Sequence, residues 1–460
     1  MYILIAGQTD VSLHIAEILM TEHQVVLIGP EPHSSPKLDR LDIEVVPGEA
    51  TRTDVLTRAH IDRCNVFIAA NNNDEHNLVT CLAARRLGAK RVMCLLSQPA
   101  FVDENESENS IAHSLGLDAV IRPSTQLARE LTRIVTVPGA LDVQSFARGR
   151  VRLLSHEIEP GAPLLASPLG QTNLPDELVL VLCRRGTRMF IPSGSTAFEV
   201  GDRVTAIGSA GGLNDLLYNY MRATNHTTDS RRAMIVGGGV VGLRVALGLE
   251  RAGWEVKLIE SSLDRCEKIA HRLKGLVLHG DGADVELLQE EQIEDYPVLL
   301  SLTATDEKNL LISMIAKQLG VKRIITRADK LTNEKMFERF GINVVRSARG
   351  AAIRKVVREA IDQDSEIRGE TEHGDMHVIE IELPEGTVER PVSDYEANVF
   401  CILGAIIRED AVIFPKRSMT LRAKDHLFIV TSLKDEKAAH ALFTLGPSEF
   451  TSTRPGVTEE

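Results

Sequence analysis

AMIVGGGVVGLRVALGLERAGWEVKLIE, residues Ala233 to Glu260, decides how the rest of the chain is read. Met234, Ile235 and Val236 form a short apolar run, as expected of a strand covered on both faces. Gly237, Gly239 and Gly242 follow in the spacing G-x-G-x-x-G, and a helical pattern starts on the last of them. Such glycines permit a tight turn, a close approach of backbone to a pyrophosphate, and close packing of helix on sheet. The phosphate-binding turn would then comprise Gly237, Gly238, Gly239, Val240, Val241 and Gly242, with the helix N-terminus offering N–H groups and a positive dipole end. Val241, Val245 and Leu249 recur on one helix face, and Gly253 stops the helix. A second apolar run, Val256 to Ile259, ends on Glu260, where a ribose-binding acid belongs. A carboxylate there accepts from ribose hydroxyls and repels a 2′-phosphate, which favours NAD(H) or an adenine nucleotide over NADP.

Outward from this unit, composition sets limits. A chain of 460 residues suggests three or four domains, and 43% hydrophobic with 25% charged residues is a globular balance. The formal net charge of −13 opposes general affinity for nucleic acid or anionic lipid. No apolar run approaches a membrane span, and MYILIAG lacks the basic flank of a signal peptide, so a cytoplasmic protein without direct membrane insertion is expected. The six cysteines, Cys64, Cys81, Cys94, Cys183, Cys266 and Cys401, contain no C-x-x-C and read as reduced core residues rather than a metal site.

The chain repeats itself. Ile5, Ala6, Gly7, Leu13 and Ala16 fall opposite Ile235, Val236, Gly237, Leu243 and Ala246. Further on, Asp74, Glu75 and Asn77 match Asp306, Glu307 and Asn309, and Val120-Ile121-Arg122 matches Val344-Val345-Arg346 in the same order. The intervening segments repeat as well: Arg185, Pro192 and Asp202 meet Arg408, Pro415 and Asp425. His377 to Leu383 alternates apolar and acidic residues as a half-buried strand would. The expected class is α/β, with two Rossmann-like doubly wound parallel sheets, each followed by a small α+β module. Boundaries are expected at 1–140, 141–225, 232–368 and 372–446, with NHTTDSRR (225–232) as linker and 447–460 as a disordered tail.

This order of parts resembles the TrkA family, cytoplasmic regulatory subunits of Trk potassium-uptake systems that carry two potassium-conductance-regulating (RCK, or KTN) units in tandem. The resemblance rests on the two nucleotide units with interposed small modules, Gly280-Asp281-Gly282 after the third strand, Thr305-Asp306-Glu307-x-Asn309, and the Ile-Pro…Gly-Asp pattern of the small modules. It implies a homotetrameric ring at the inner face of the membrane. The ring would dock on an integral-membrane potassium-translocating subunit of Trk type and gate it as nucleotide binds. NAD(H) is the leading ligand under this reading, with ATP or ADP as the alternative.

The first unit departs from the family pattern. Thr9 and Ser12 stand opposite Gly239 and Gly242, Gly29 replaces Glu260, Gly48-Glu49-Ala50 replaces Gly280-Asp281-Gly282, and Leu95 stands opposite Arg327. A side chain at 9 would occupy pyrophosphate space and one at 12 would push the helix from the sheet, so this unit reads as a scaffold. The alternative is a reshaped pocket using Gln8, Asn71, Asn72 and Asn73. In the second unit the candidate binding residues beyond the turn and Glu260 are Asp281, Gly282, Thr303 and Arg327. Asp281 reads as a contact near the adenine or its ribose, or as an ordinary turn acid. Arg327 would reach a phosphate, a neighbouring subunit or a surface carboxylate. Asp306 reads as a helix cap. No catalytic constellation is found: H-E-x-x-H, G-x-S-x-G and a Walker lysine are all missing from the sequence. A soluble NAD-dependent oxidoreductase and a nucleotide-responsive adaptor without a channel partner are the competing readings.

Overall fold

The computed structural model describes residues 1–21, 23–29, 38, 41, 43–98, 115–137, 140–186, 188–221, 231–361, 367–370, 376–395, 401–432 and 434–446. The expected disordered tail, and all but the last two residues of the expected linker at 225–232, lie outside the described residues.

The apolar runs become two six-stranded parallel sheets of the same topology. The first has β1 (Tyr2–Ala6), β2 (Gln24–Gly29), β3 (Glu44–Pro47), β4 (Val66–Ala69), β5 (Arg91–Leu95) and β6 (Ala119–Ile121) in the order β3-β2-β1-β4-β5-β6. Two antiparallel five-stranded sheets serve the small modules. The first orders β7 (Asp142–Phe146), β8 (Val151–Glu157), β9 (Leu178–Arg185), β10 (Arg188–Phe190) and β11 (Arg203–Gly208) as β10-β9-β11-β8-β7. The second parallel sheet has β12 (Arg232–Val236), β13 (Glu255–Glu260), β14 (Leu276–His279), β15 (Val298–Ser301), β16 (Ile324–Arg327) and β17 (Val344–Arg346), in the order β14-β13-β12-β15-β16-β17. The last module holds β18 (Ile367–Glu370), β19 (Met376–Glu382), β21 (Cys401–Arg408), β22 (Ala411–Ile413) and β24 (His426–Ser432) as β18-β19-β24-β21-β22. A separate pair joins β20 (Arg390–Pro391) to β23 (Thr420–Leu421).

Contacts group the chain otherwise than its order does. One compact unit combines residues 1–132 with 230–363, and a second combines 133–229 with 364–460. Within the first, the helix Ala348–Ile361, which follows the last strand of one sheet, packs on the helix Asp10–Leu19 and on β6 of the other. Reciprocally, the helix Pro123–Thr136 lies so close to the helix Val240–Arg251 that a Cβ at Gly248 would stand 2.9 Å from the Thr132 Oγ1. Glu130 binds this arrangement together. Its carboxylate accepts from Arg346 Nε at 3.1 Å and from Arg354 Nη2 at 2.7 and 2.8 Å, and both Glu130 and Arg346 are buried.

Within the second unit the two antiparallel sheets share one core. Phe146, Val151, Leu153, Val181 and Ile207 of one meet Met376, Val378, Ala405, Phe428 and Val430 of the other, and the rings of Phe146 and Phe428 lie 6.1 Å apart. The alternation expected at 377–383 is present from Ile379 to Leu383, where the apolar residues are buried and the two glutamates are not; the added feature is that His377 and Val378 are both buried as well. All of β19 except Glu380 and Glu382 is buried. One side of it faces the shared core, and the other is covered by the helix Glu436–Leu445, whose Glu436 Oε2 lies 3.1 Å from His377 Nδ1. Each module also repeats one ion pair made by a partly exposed arginine to a buried aspartate. Arg185 donates to both oxygens of Asp202 at 2.8 and 2.7 Å, and Arg408 does the same to Asp425 at 2.7 Å each. All six cysteines are free thiols, five of them buried. Among the described residues no helix is long and apolar enough to cross a membrane.

Candidate functional site

In the second parallel sheet the neighbours of β12 are β13 and β15, both parallel to it, so the chain direction of build-up reverses at its C-terminal end. Such a switch point opens a crevice beyond the strand ends. A cleft of about 220 Å3 lies there, and Gly237, Gly239, Glu260, Gly282, Thr303 and Arg327 are among the residues that line it. Those are six of the eleven candidate residues from the sequence.

The glycine turn has the geometry its spacing suggests, for reasons that differ at each position. Gly237 has φ +105°, a left-handed backbone, and a Cβ on it would stand 2.8 Å from the Leu302 carbonyl. At Gly242 a Cβ would lie 1.9 Å from the Gly237 oxygen, so the helix could not start this close to the strand with any side chain. Gly239 is different: its Cβ would meet nothing within 4 Å, because it faces the cleft. Gly239 is the N-cap of the helix Val240–Arg251 and supplies no side-chain cap, so the N–H groups of the first helical turn keep their hydrogen-bonding capacity for something else. Val241 is buried in the core and Val240 is 45% exposed; neither lines the cleft, nor do Gly238 and Gly242.

Glu260 is 4% exposed. Its Oε2 accepts from the Gly238 N–H at 2.7 Å, and its Oε1 accepts from the Ser262 N–H at 2.8 Å and Arg265 Nη2 at 2.9 Å. Burial pushes this carboxyl upward, but the two backbone donors and the guanidinium outweigh it and hold it below its ordinary value. The acid is therefore ionised and fixed, with lone-pair capacity left on Oε2 for a hydroxyl donor.

The remaining candidates are placed less uniformly. Asp281 is not among the lining residues. It accepts from the Ala283 N–H at 2.9 Å, and the Lys308 Nζ sits 2.9 Å from its Oδ1; these two contacts, in that order of weight, hold it below the usual carboxylate range. Thr303 lines the cleft, but its hydroxyl and N–H both donate to Asn309 Oδ1 at 2.7 Å. Arg327 lines it while donating to Asp329 Oδ1 at 2.9 and 2.6 Å. The expected cap at Asp306 is corrected: Thr305 is the N-cap, and its side chain accepts from Lys308 N. Asp306 sits one residue inside the helix, where it accepts from the N–H groups of Asp329 and Lys330 and from Asn333. Sequence reading missed Arg265 and Lys308. The signals were present: Arg265 falls in the first turn of the helix after the ribose-side strand, and Lys308 stands inside the repeated D-E-x-N where the first unit has His76.

The first unit keeps the frame and fills the equivalent turn with side chains. Gly7 again has a positive φ, +128°. Thr9 then caps its own helix: its hydroxyl accepts from Ser12 N at 3.2 Å and donates to the Ala70 carbonyl at 2.9 Å, while Ser12 Oγ accepts from Thr9 N at 2.7 Å. Ser12 is thus no simple wedge between helix and sheet. It is the other half of a capping box that uses donors left uncapped in the second unit. Gln8 covers the place of the missing acid, since a Cβ on Gly29 would stand 2.7 Å from Gln8 Cγ. Of the asparagines named for a reshaped pocket, Asn71 lies 3.2 Å from His76 Nδ1, and Asn73 caps the helix Asp74–Arg86 by accepting from His76 N at 2.6 Å.

Two doubly wound sheets on one chain, one with an open cleft at its switch point and one whose equivalent turn holds its own side chains, define a tandem protein of the dinucleotide-fold class. A family model described as TrkA-N domain matches residues 3–123 and 233–348, and one described as TrkA-C domain matches 153–220. The chain belongs to the TrkA family. It is 31% identical over 96% of its length to a "Trk system potassium uptake protein TrkA homolog" of Archaeoglobus fulgidus, which it covers completely. Among solved structures it is similar to "GsuK channel bound to NAD" with a TM-score of 0.59 and 18% identity, over 97% of this chain and 79% of that one. It is also similar to "Crystal Structure of the GsuK RCK domain", with a TM-score of 0.59 and 18% identity over 95% and 93%. The curated relatives carry the name of potassium-uptake proteins.

Proposed function

We propose that this chain is a nucleotide-responsive regulatory subunit of a membrane potassium-uptake system, working from the cytoplasmic face through a potassium-translocating partner of Trk type. The observation that carries the reading is the difference between its two sheets. In the second, an uncapped helix N-terminus and a buried ionised Glu260 flank an open cleft; in the first, Thr9, Ser12 and Gln8 use the same positions for internal contacts. The second sheet would hold the nucleotide, with the pyrophosphate over Gly237 to Gly242, a ribose at Glu260, and Gly282, Thr303 and Arg327 around it. NAD(H) leads as ligand, with ADP or ATP as alternatives; a solved channel of the same fold, GsuK, is bound to NAD. The four segments 1–140, 141–225, 232–368 and 372–446 would then be two such units, each with its own module.

Self-association into a homotetrameric ring is part of the proposal. Equivalent helices of the two units expose equivalent apolar pairs, Val79 with Leu82 and Leu311 with Met314, at 52, 42, 52 and 38%. Paired apolar patches on a duplicated frame suit symmetric assembly. Moving a channel from about 1:99 to 99:1 needs on the order of 5.5 kcal/mol of differential binding, so four sites would each supply about 1.4 kcal/mol. Titration calorimetry of the full chain with NADH, NAD, ADP and ATP, beside Gly239→Asp, tests the reading. One site per chain, lost in the variant, is expected. Binding that survives Gly239→Asp would refute it, and potassium flux indifferent to the ligand would refute the regulatory part.

A further inference from the structure

Three cations line the cleft, and each is held by a carboxylate: Arg265 by Glu260, Arg327 by Asp329 and Lys308 by Asp281. The third pair differs from the others in what it spans. Asp281 follows β14 and Lys308 lies in the first turn of the helix after β15, and β13 and β12 stand between those two strands in the sheet. The 2.9 Å contact therefore bridges the strands on either side of the glycine turn. The first unit has the same bridge in other residues, His76 Nε2 to Glu49 Oε2 at 3.0 Å. In the second unit the bridging cation is a lysine ammonium, and it lines an open cleft.

We propose that Lys308 is the residue that reads phosphate charge in this cleft, leaving Asp281 for the ligand's phosphates when nucleotide binds. The proposal rests on the reading that the cleft takes a nucleotide. Lys308 and Asp281 are 35% and 57% exposed, so their ion pair is weak and exchangeable, unlike the buried contacts of Glu260. A lysine suits this use because it is a mobile point charge that takes any phosphate oxygen within reach. Asp281 acts in the opposite sense: it competes for the ammonium and repels a dianionic ligand, setting a threshold that a phosphate-free nucleoside does not have to cross.

Opposite signs for the two partners make the test. Calorimetry on the full chain would compare ADP with adenosine in the wild type, Lys308→Met and Asp281→Asn. Lys308→Met should weaken ADP about tenfold, as loss of a charge-assisted hydrogen bond does, and leave adenosine unchanged. Asp281→Asn should tighten ADP severalfold. Equal weakening in both variants would make the bridge a structural strap and overturn the proposal, as would unchanged ADP affinity in Lys308→Met. A wild type that takes neither ADP nor NADH would instead overturn the nucleotide reading beneath it.

Discussion

Gly239→Ala separates binding from folding at this site. Gly239 has φ −66° and ψ −175°, a backbone open to any residue, and a Cβ on it would touch nothing within 4 Å. Replacing glycine by alanine at an N-cap costs up to about 1 kcal/mol. The restricted unfolded chain returns about 0.4–1 kcal/mol. The two nearly cancel, and the melting temperature should stay within about 2 °C of the wild type. Binding should not be spared, because the new methyl projects into the path proposed for the pyrophosphate. Displacing a phosphate from one backbone N–H forfeits a charge-assisted bond of about 1.5–3 kcal/mol, so Kd should rise roughly 10- to 100-fold. Gly242→Ala is the control: a Cβ 1.9 Å from the Gly237 oxygen forces helix and strand apart, and overpacking of this kind costs about 1–3 kcal/mol or more. Its melting temperature should fall by several degrees. Thermal melts with and without NADH or ADP, paired with calorimetry, measure both quantities. Unchanged affinity in a stable Gly239→Ala would show that no phosphate passes over residue 239 and would refute the assignment of the turn.

Glu260→Gln should lower stability by about 1–3 kcal/mol, since a buried acceptor of two N–H groups and a guanidinium loses its charge. Because the folded-state carboxyl lies below the ordinary 4.5, the wild type holds this advantage above pH 4.5 and loses it as pH falls through the lowered value; denaturation curves of both proteins should therefore converge in acid. Asp425→Asn leaves Arg408, 19% exposed, facing a neutral amide, and should cost about 2–4 kcal/mol in chemical denaturation. Gln8→Ala removes the group over Gly29 without supplying an acid, so calorimetry should still count one nucleotide per chain; a second site would mean that Gln8 alone closes the first unit.

The parallel sheets, the duplication and the glycine turn were legible because each depends on local pattern: apolar runs, a fixed spacing, and residues recurring in order. Glu260 was legible for the same reason, as the last residue of a strand. What escaped were roles fixed by distant partners. Asp306 looked like a cap by its place before a helix, yet Thr305 caps, and Asp306 instead holds the loop at Asp329 and Lys330. Ser12 looked like an obstruction because the comparison with Gly242 weighs only size, whereas its hydroxyl completes a box with Thr9. Lys308 stood inside the repeated D-E-x-N and Arg265 in a first helical turn, yet both gain meaning only when several strand ends converge on one cleft.

The residues that the two halves share, set against those that differ, say what each half is for. Asp74 accepts from the N–H groups of Ser97 and Gln98 as Asp306 does from Asp329 and Lys330. Asn77 donates to the Leu95 carbonyl as Asn309 does to that of Arg327. Arg185 and Asp202 repeat in Arg408 and Asp425. Each of these satisfies buried or half-buried polar groups that the fold itself creates, so loss of any one would leave an unpaired group at a cost of about 1–3 kcal/mol. The differences concentrate at the mouth of the cleft, at Gln8 against Gly238, Thr9 against Gly239, Gly29 against Glu260 and Leu95 against Arg327. A sheet needed only as a ligand site would have no reason to keep its buried network with Thr9, Ser12 and Gln8 in its turn. The first sheet keeps the network because it has other work: the helix Ala348–Ile361 packs against it, and Glu130, from the helix that follows its last strand, holds Arg346 and Arg354. A nucleotide bound as proposed at the ends of β12 and β15 would therefore act on a sheet whose unit also contains the first sheet, packed against the helix Ala348–Ile361.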